Sequence, residues 1–150
     1  MRVVIQRVAE AEVRIGGEMV SEINQGLLIL LGIETGDDTK DADWLIGKIA
    51  AIRIFNDDAG KMNLSISDVK GQFLVVSQFT LHASTMKGNR PSFIQSARPE
   101  QAIPLYEYFC KQLKTSSGID VRTGVFGADM KVKLVNDGPV TILMDSKNRE

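Results

Sequence analysis

The sequence is poor in the residues that build crosslinks and metal centres. Among 150 residues there is one cysteine, Cys110, and one histidine, His82. A lone thiol excludes an internal disulfide and fits a reducing compartment. A lone imidazole removes His-rich metal sites and most zinc constellations, so neither metal nor cofactor is expected. Aromatic side chains number nine: one Trp, two Tyr and six Phe. Few of them interleave with Lys or Arg, which weakens the case for a noncatalytic module that binds single-stranded nucleic acid over stacked rings. The most apolar stretch, residues 26–33, falls far short of the ~20 residues that span a bilayer. The opening Met-Arg-Val-Val-Ile-Gln-Arg has no long apolar run followed by a small-residue cleavage site. A cytoplasmic protein with no membrane partner is therefore expected. An excess of either charge is missing too: 18 Lys+Arg stand against 19 Asp+Glu, a net charge of −1. That balance argues against a protein that coats long duplex DNA or RNA.

What remains is ordinary for one globular domain over residues 1–150, with 43% hydrophobic and 25% charged residues. Val3, Ile5, Val13 and Ile15 alternate with polar neighbours, as in half-buried strands, and Gly16-Gly17 marks a tight hairpin. Residues 26–33 are apolar at nearly every position, which suits a central strand covered on both faces. Ala42, Leu45, Ile46, Ile49 and Ile52 predict a first helix over 41–52. Ala102, Leu105, Tyr106, Phe109, Cys110 and Leu113 predict a second, either starting near Pro104 or kinked there. Strands are expected at 72–79, 119–125, 129–135 and 139–144. The order predicts an α/β fold, a mixed and largely antiparallel sheet layered with two principal helices.

The balanced charge is unevenly distributed. Residues 34–43 hold five acids against Lys40, whereas 69–99 hold Lys70, Lys87, Arg90 and Arg98 with no acid. An anionic ligand would be sought in the second stretch. There, an apolar strand runs into Ser77-Gln78-Phe79-Thr80-Leu81-His82, an abrupt change of the kind found where a rigid strand presents a site. If that strand continued, Thr80 and His82 would share a face as a nucleophile and base, although no third orienting group is evident. The blander reading is a β-favouring Thr and a loop His. Lys87 and Arg90, in Met86-Lys87-Gly88-Asn89-Arg90-Pro91-Ser92-Phe93, could contact phosphate or simply solvate a loop. Asn136-Asp137-Gly138-Pro139-Val140-Thr141 reads locally as a hairpin turn. Asn56-Asp57-Asp58-Ala59-Gly60 lacks the spacing of a calcium loop and reads as a turn.

These segments fall in the order seen in one family. Gln6-Arg7-Val8, Gly26-Leu27-Leu28, Arg53-Ile54-Phe55, Gly60-Lys61-Met62-Asn63, Ser77-Gln78-Phe79-Thr80-Leu81, Arg90-Pro91-Ser92-Phe93, the 124–130 heptapeptide and the 136–141 hexapeptide all match. Essentially end to end, the chain resembles the D-aminoacyl-tRNA deacylases of the Gly-cisPro type. The resemblance implies hydrolysis of the ester joining a D-amino acid, or glycine, to the terminal adenosine of tRNA. It implies a homodimer with active sites at the subunit interface. Ser77, Gln78, Phe79, Thr80 and Leu81 would line the pocket, with Phe126 and Met130 shaping the adenosine and aminoacyl environment. Asn136, Gly138, Pro139 and Val140 would also bind substrate, and Gly138-Pro139, a cis peptide supported by Arg7, would reach into the partner's pocket and reject L-amino acids. Backbone N–H groups around Gln78, Phe79 and Thr80 would form an oxyanion hole. The ribose 2′-hydroxyl would assist, with Thr80 as a positioning group or, alternatively, the nucleophile. A plain esterase acting on small esters is a further alternative.

Overall fold

The computed structural model describes residues 1–149. Its first strand, β1 (Arg2–Ile15), turns through Gly16 and Gly17, at φ +56° and +85°, into β2 (Glu18–Ile23). Positive φ at both turn residues gives the twist that a tight hairpin needs, and glycine adopts it without a Cβ penalty. The fully apolar run forms β3 (Gly26–Gly32), antiparallel to the first half of β1. Helix α1 (Thr39–Ala51) starts on a capping box in which Asp38 accepts from the Lys40 and Asp41 N–H groups and the Asp41 carboxylate accepts from Asp38 N–H. Two short strands follow, β4 (Phe55–Asn56) and β5 (Met62–Leu64), and then β6 (Gln72–Ser77), parallel to β3. Helix α2 (Pro99–Ser117) begins on Pro99 and passes through Pro104. Pro104 lies within the first two turns on the exposed side, so the helix forgoes one backbone hydrogen bond and does not start later. Strand β7 (Val121–Thr123) pairs parallel with β6, and β8 (Lys131–Asp145) runs antiparallel along β1.

The main sheet has the order β2-β1-β3-β6-β7, with β8 on the other side of β1. Period-2 alternation sends Val3, Ile5, Leu27, Ile29, Phe73 and Val75 to one face, against Leu45 and Ile49 of α1 and Tyr106, Phe109 and Leu113 of α2. Val8, Val13, Leu28, Leu74 and Val76 fill a second cluster on the opposite face. The residue 26–33 run is thus buried on both sides, as its composition predicts. The parallel β3–β6 contact is close because Gly26 has no side chain: a Cβ there would lie 1.9 Å from the Gln72 carbonyl oxygen. No helix among the described residues is long and apolar enough to cross a membrane.

Two sequence expectations are corrected. Residues 136–141 do not form a hairpin. Asn136 pairs with Val8 and Thr141 with Gln6, so β8 leaves the ladder for four residues opposite Arg7 and rejoins it in the same direction. Turn chemistry is local, whereas this excursion depends on both flanks pairing with a strand about 130 residues away. The strand expected over 72–79 stops at Ser77 and gives way to a 3-10 turn, Phe79–His82.

Candidate active site

The strand end and the turn form a single unit. Ser77 is the last residue of β6 to pair with β3, and Gln78 N–H donates to the Leu31 carbonyl at 2.8 Å. The chain then folds back over Gly32, where a Cβ would come within 2.9 Å of Leu81 Cβ and 3.0 Å of the Gln78 carbonyl. As the first residues of the turn, Phe79 and Thr80 have no acceptor for their N–H groups inside it. The Gln78 side-chain amide donates to Thr80 Oγ1, and Ser96 Oγ donates to the Phe79 carbonyl at 2.9 Å, fixing the turn from both sides.

In front of this turn opens a cavity of about 320 Å³ lined by Ser77, Gln78, Phe79, Phe126 and Met130. These are five of the residues expected from sequence. Its floor consists of Leu31, Ile33, Val76 and Val132, and Ala97 and Ala102 bring α2 close. Tyr106 packs edge-to-face on Phe126 with centroids 5.9 Å apart and donates its hydroxyl to the Val75 carbonyl at 2.8 Å. Burial pushes the Tyr106 phenol well above its ordinary pKa, so it acts as a fixed donor. Met130 is seated against Gly124, where a Cβ would come within 2.5 Å of its sulfur. The small lining residues Ala97, Ala102, Gly127 and Ala128 were not legible in the sequence, because lining a cavity with methyl groups or bare backbone leaves no chemical signature.

The remaining candidates lie elsewhere. The Thr80 side chain does not line the cavity and meets it through Gln78, whose amide donates to Oγ1. Leu81 lines a different depression with Arg2 and Trp44, and its carbonyl accepts from Arg2 Nη1 at 3.1 Å. The Thr80–His82 pair is not formed: a 3-10 turn has three residues each 360°, so i and i+2 point to different sides. His82 is instead 1% exposed, with Nδ1 3.9 Å from Glu34 Oε1. Burial holds its pKa below the ordinary 6.5, opposed only partly by the Gly32 backbone and Glu34. Lys87 and Arg90 are exposed in the loop beyond the turn, closed at its base by Ser84–Ser92 backbone hydrogen bonds of 2.8 and 2.9 Å.

Gly138 and Pro139 stand exposed at the tip of the β8 excursion, joined by a cis peptide, and do not line the cavity of their own chain. The excursion has a built base. Arg7, 5% exposed, donates Nε to the Asp137 carbonyl at 2.8 Å and Nη1 to the Ile54 carbonyl at 2.7 Å and Asn56 Oδ1 at 3.3 Å. Asn136 accepts from Val140 N–H at 2.9 Å and donates to Gln6 and Thr141. At Gly138, φ is +134° and a Cβ would come within 2.9 Å of Arg7 Nη2, so only glycine fits.

Sheet and cavity define an α/β protein whose polar groups sit at a strand end, before a largely apolar cleft. The chain belongs to the D-Tyr-tRNA(Tyr) deacylase family, whose model matches residues 4–145. It is 59% identical over its full length to a D-aminoacyl-tRNA deacylase of Flavobacterium johnsoniae and 62% identical to one of Akkermansia muciniphila, each covered completely. Among solved structures it is similar to a c-Myc DNA unwinding element binding protein, with a TM-score of 0.90, 40% identity, and coverage of 97% of this chain and 98% of that one. A probable eukaryotic D-amino acid tRNA deacylase shares the fold at a TM-score of 0.81 and 16% identity, covering 95% and 97% of the two chains.

Proposed function

We propose that this protein hydrolyses the ester between a D-amino acid and the 3′-terminal adenosine of tRNA and spares the L-ester. The observation that carries the reading is the cavity at the end of β6, where Ser77, Gln78, Phe79, Phe126 and Met130 converge at the start of a 3-10 turn whose first N–H groups, those of Phe79 and Thr80, have no acceptor within it. Those N–H groups would hold the oxygen that becomes negative when water adds to the ester carbonyl. The carbon–oxygen bond to the ribose 3′-oxygen then breaks. The vicinal 2′-hydroxyl, held in place by the bound adenosine, relays the proton to that oxygen. With His82 buried and turned away, Thr80 has no base of its own and acts by positioning.

Selection would be steric. In a homodimer whose active sites lie at the interface, the Gly138-Pro139 tip of one subunit would enter the other's cavity. There its carbonyls would meet the substrate ammonium, and its bulk would meet an L side chain. A D side chain points away, and glycine has none to reject, so glycyl-tRNA would also be cleaved. The protein would work as a single domain in the cytoplasm without cofactor. Ester loss from matched D- and L-tyrosyl-tRNA is the direct test: rapid loss of the D form alone is expected, and equal rates would refute the reading. A tRNA ending in 2′-deoxyadenosine should resist cleavage. Thr80→Val should retain activity to within roughly tenfold, whereas loss of a nucleophile would cost more than about a thousandfold.

A further inference from the structure

The cavity accounts for one face of Phe79 but not for what continues from it. The ring is 55% exposed and stands edge-to-face on Phe93, itself 37% exposed, with centroids 5.1 Å apart at 72°. Ser96 Oγ fixes the Phe79 carbonyl, so the pair is held against the turn rather than loose on the surface. From Phe93 the chain continues outward into the loop that carries exposed Lys87 and Arg90, within a stretch from 69 to 99 that contains no acid. Among the cavity-lining residues the one carboxylate, Asp129, is already paired with Lys131 Nζ at 2.9 Å. An apolar cavity, an exposed aromatic pair and two exposed cations thus follow one another along a segment that contributes no acid of its own. Glu34, bridged to Ser96 through its backbone, has its carboxylate 3.9 Å from the buried His82 Nδ1. The strip suits a polyanion with flat bases whose end is already inserted in the cavity.

We infer that the Phe79–Phe93 pair and the loop beyond it form a track for the unpaired nucleotides on the 5′ side of the terminal adenosine, with Phe93 as the stacking surface for a base. The inference rests on the functional reading above and extends it from the terminal nucleoside to the single strand that precedes it. Stacking on an aromatic face tolerates any base, so the track would add affinity for a 3′ tail without demanding a sequence. Lys87 and Arg90 lie where the phosphates between those nucleotides would pass.

The test compares kcat/KM for D-tyrosyl-tRNA with that for the D-tyrosyl ester of free adenosine, which lacks the preceding nucleotides. Wild-type protein should prefer the tRNA. Phe93→Leu, which keeps an apolar contact to Phe79 but removes the aromatic face, should reduce that preference about tenfold, mainly through KM. Phe93→Trp should preserve it. An unchanged preference in Phe93→Leu, or an equal loss on both substrates, would overturn the track. So would a shift of Phe93→Leu to a different oligomeric state by sedimentation, since Phe93 would then be covered by a second copy. Wild-type protein that cleaves both D-esters without preferring the tRNA would refute the track alone. Cleavage of neither would refute the functional reading and the track together.

Discussion

Arg7 illustrates how much geometry one buried side chain can set. Its guanidinium reaches carbonyls on two segments, Ile54 and Asp137, that no backbone ladder connects. A lysine there would keep the charge but lose the planar fork, so it could not hold both acceptors in place. Arg7→Lys should lower kcat/KM for D-tyrosyl-tRNA on the order of tenfold to a hundredfold by displacing the tip it supports. Steady-state kinetics with a thermal melt alongside would separate that effect from unfolding. His82 makes a different prediction. Its pKa is depressed in the folded protein, so below about 6.5 the unfolded chain takes up a proton that the folded one resists. Stability should therefore fall as pH drops from 7.5 to 5.5, and His82→Leu should flatten that slope in melting temperature. An unaltered slope would place the dependence elsewhere. At this scale the sequence was a mixed guide: the polar break after β6 pointed to Ser77, Gln78 and Phe79, but the Thr80–His82 pairing assumed an extended backbone that ends at Ser77.

Among the elements, β3 was the most legible, because a strand buried on both faces must be apolar throughout. The β8 excursion was the least, because Asp-Gly carries the same local preference whether the chain reverses or rejoins its own ladder. Two glycines test how closely the elements pack. Gly26→Ala would drive a methyl group into the Gln72 backbone at the β3–β6 contact and should cost about 3 kcal/mol or more. Gly47→Ala, on the exposed side of α1 with nothing within 4 Å, should instead stabilise by about 0.5–1 kcal/mol. Denaturant unfolding of the pair would check both signs, and equal effects would contradict this account of the sheet.

Over the whole molecule, the acidic 34–43 stretch finds a structural use. Asp37 takes the Met1 ammonium at 2.7 Å with both groups fully buried, and Lys147 lies 3.7 Å from Asp37 and 2.8 Å from Asp41. Burial would raise Asp41, but hydrogen bonds from Lys147, the Asp38 N–H and Ser146 overcome it and hold the carboxyl at about 2. One acidic segment thus fastens β1 and the end of β8 to the start of α1. Asp37→Asn would leave a buried ammonium without its counter-charge and should cost about 3–5 kcal/mol, measurable by denaturant titration. With those acids engaged here, the balanced net charge no longer argues against an RNA substrate. Glu34, of the same acidic stretch, instead lies against the 69–99 segment, its backbone bridged to Ser96 and its carboxylate 3.9 Å from His82 Nδ1.

The excursion at 137–140 is held at both ends by β1, which also carries β2 and β3. It is therefore not a loop that can melt alone. Freeing its flanks requires separating β8 from the strand around which the sheet is built, and amide exchange at Val140, which donates to the Asn136 side chain, should follow global unfolding rather than local opening. Under the selection by obstruction proposed above, this decides how the molecule fails. The state to avoid is one that still cleaves esters but no longer tells the two hands apart, since it would strip correctly charged tRNA. Tying the flanks of the proposed discriminating tip into the central ladder narrows the routes to that state to changes at the tip's own base, such as Arg7.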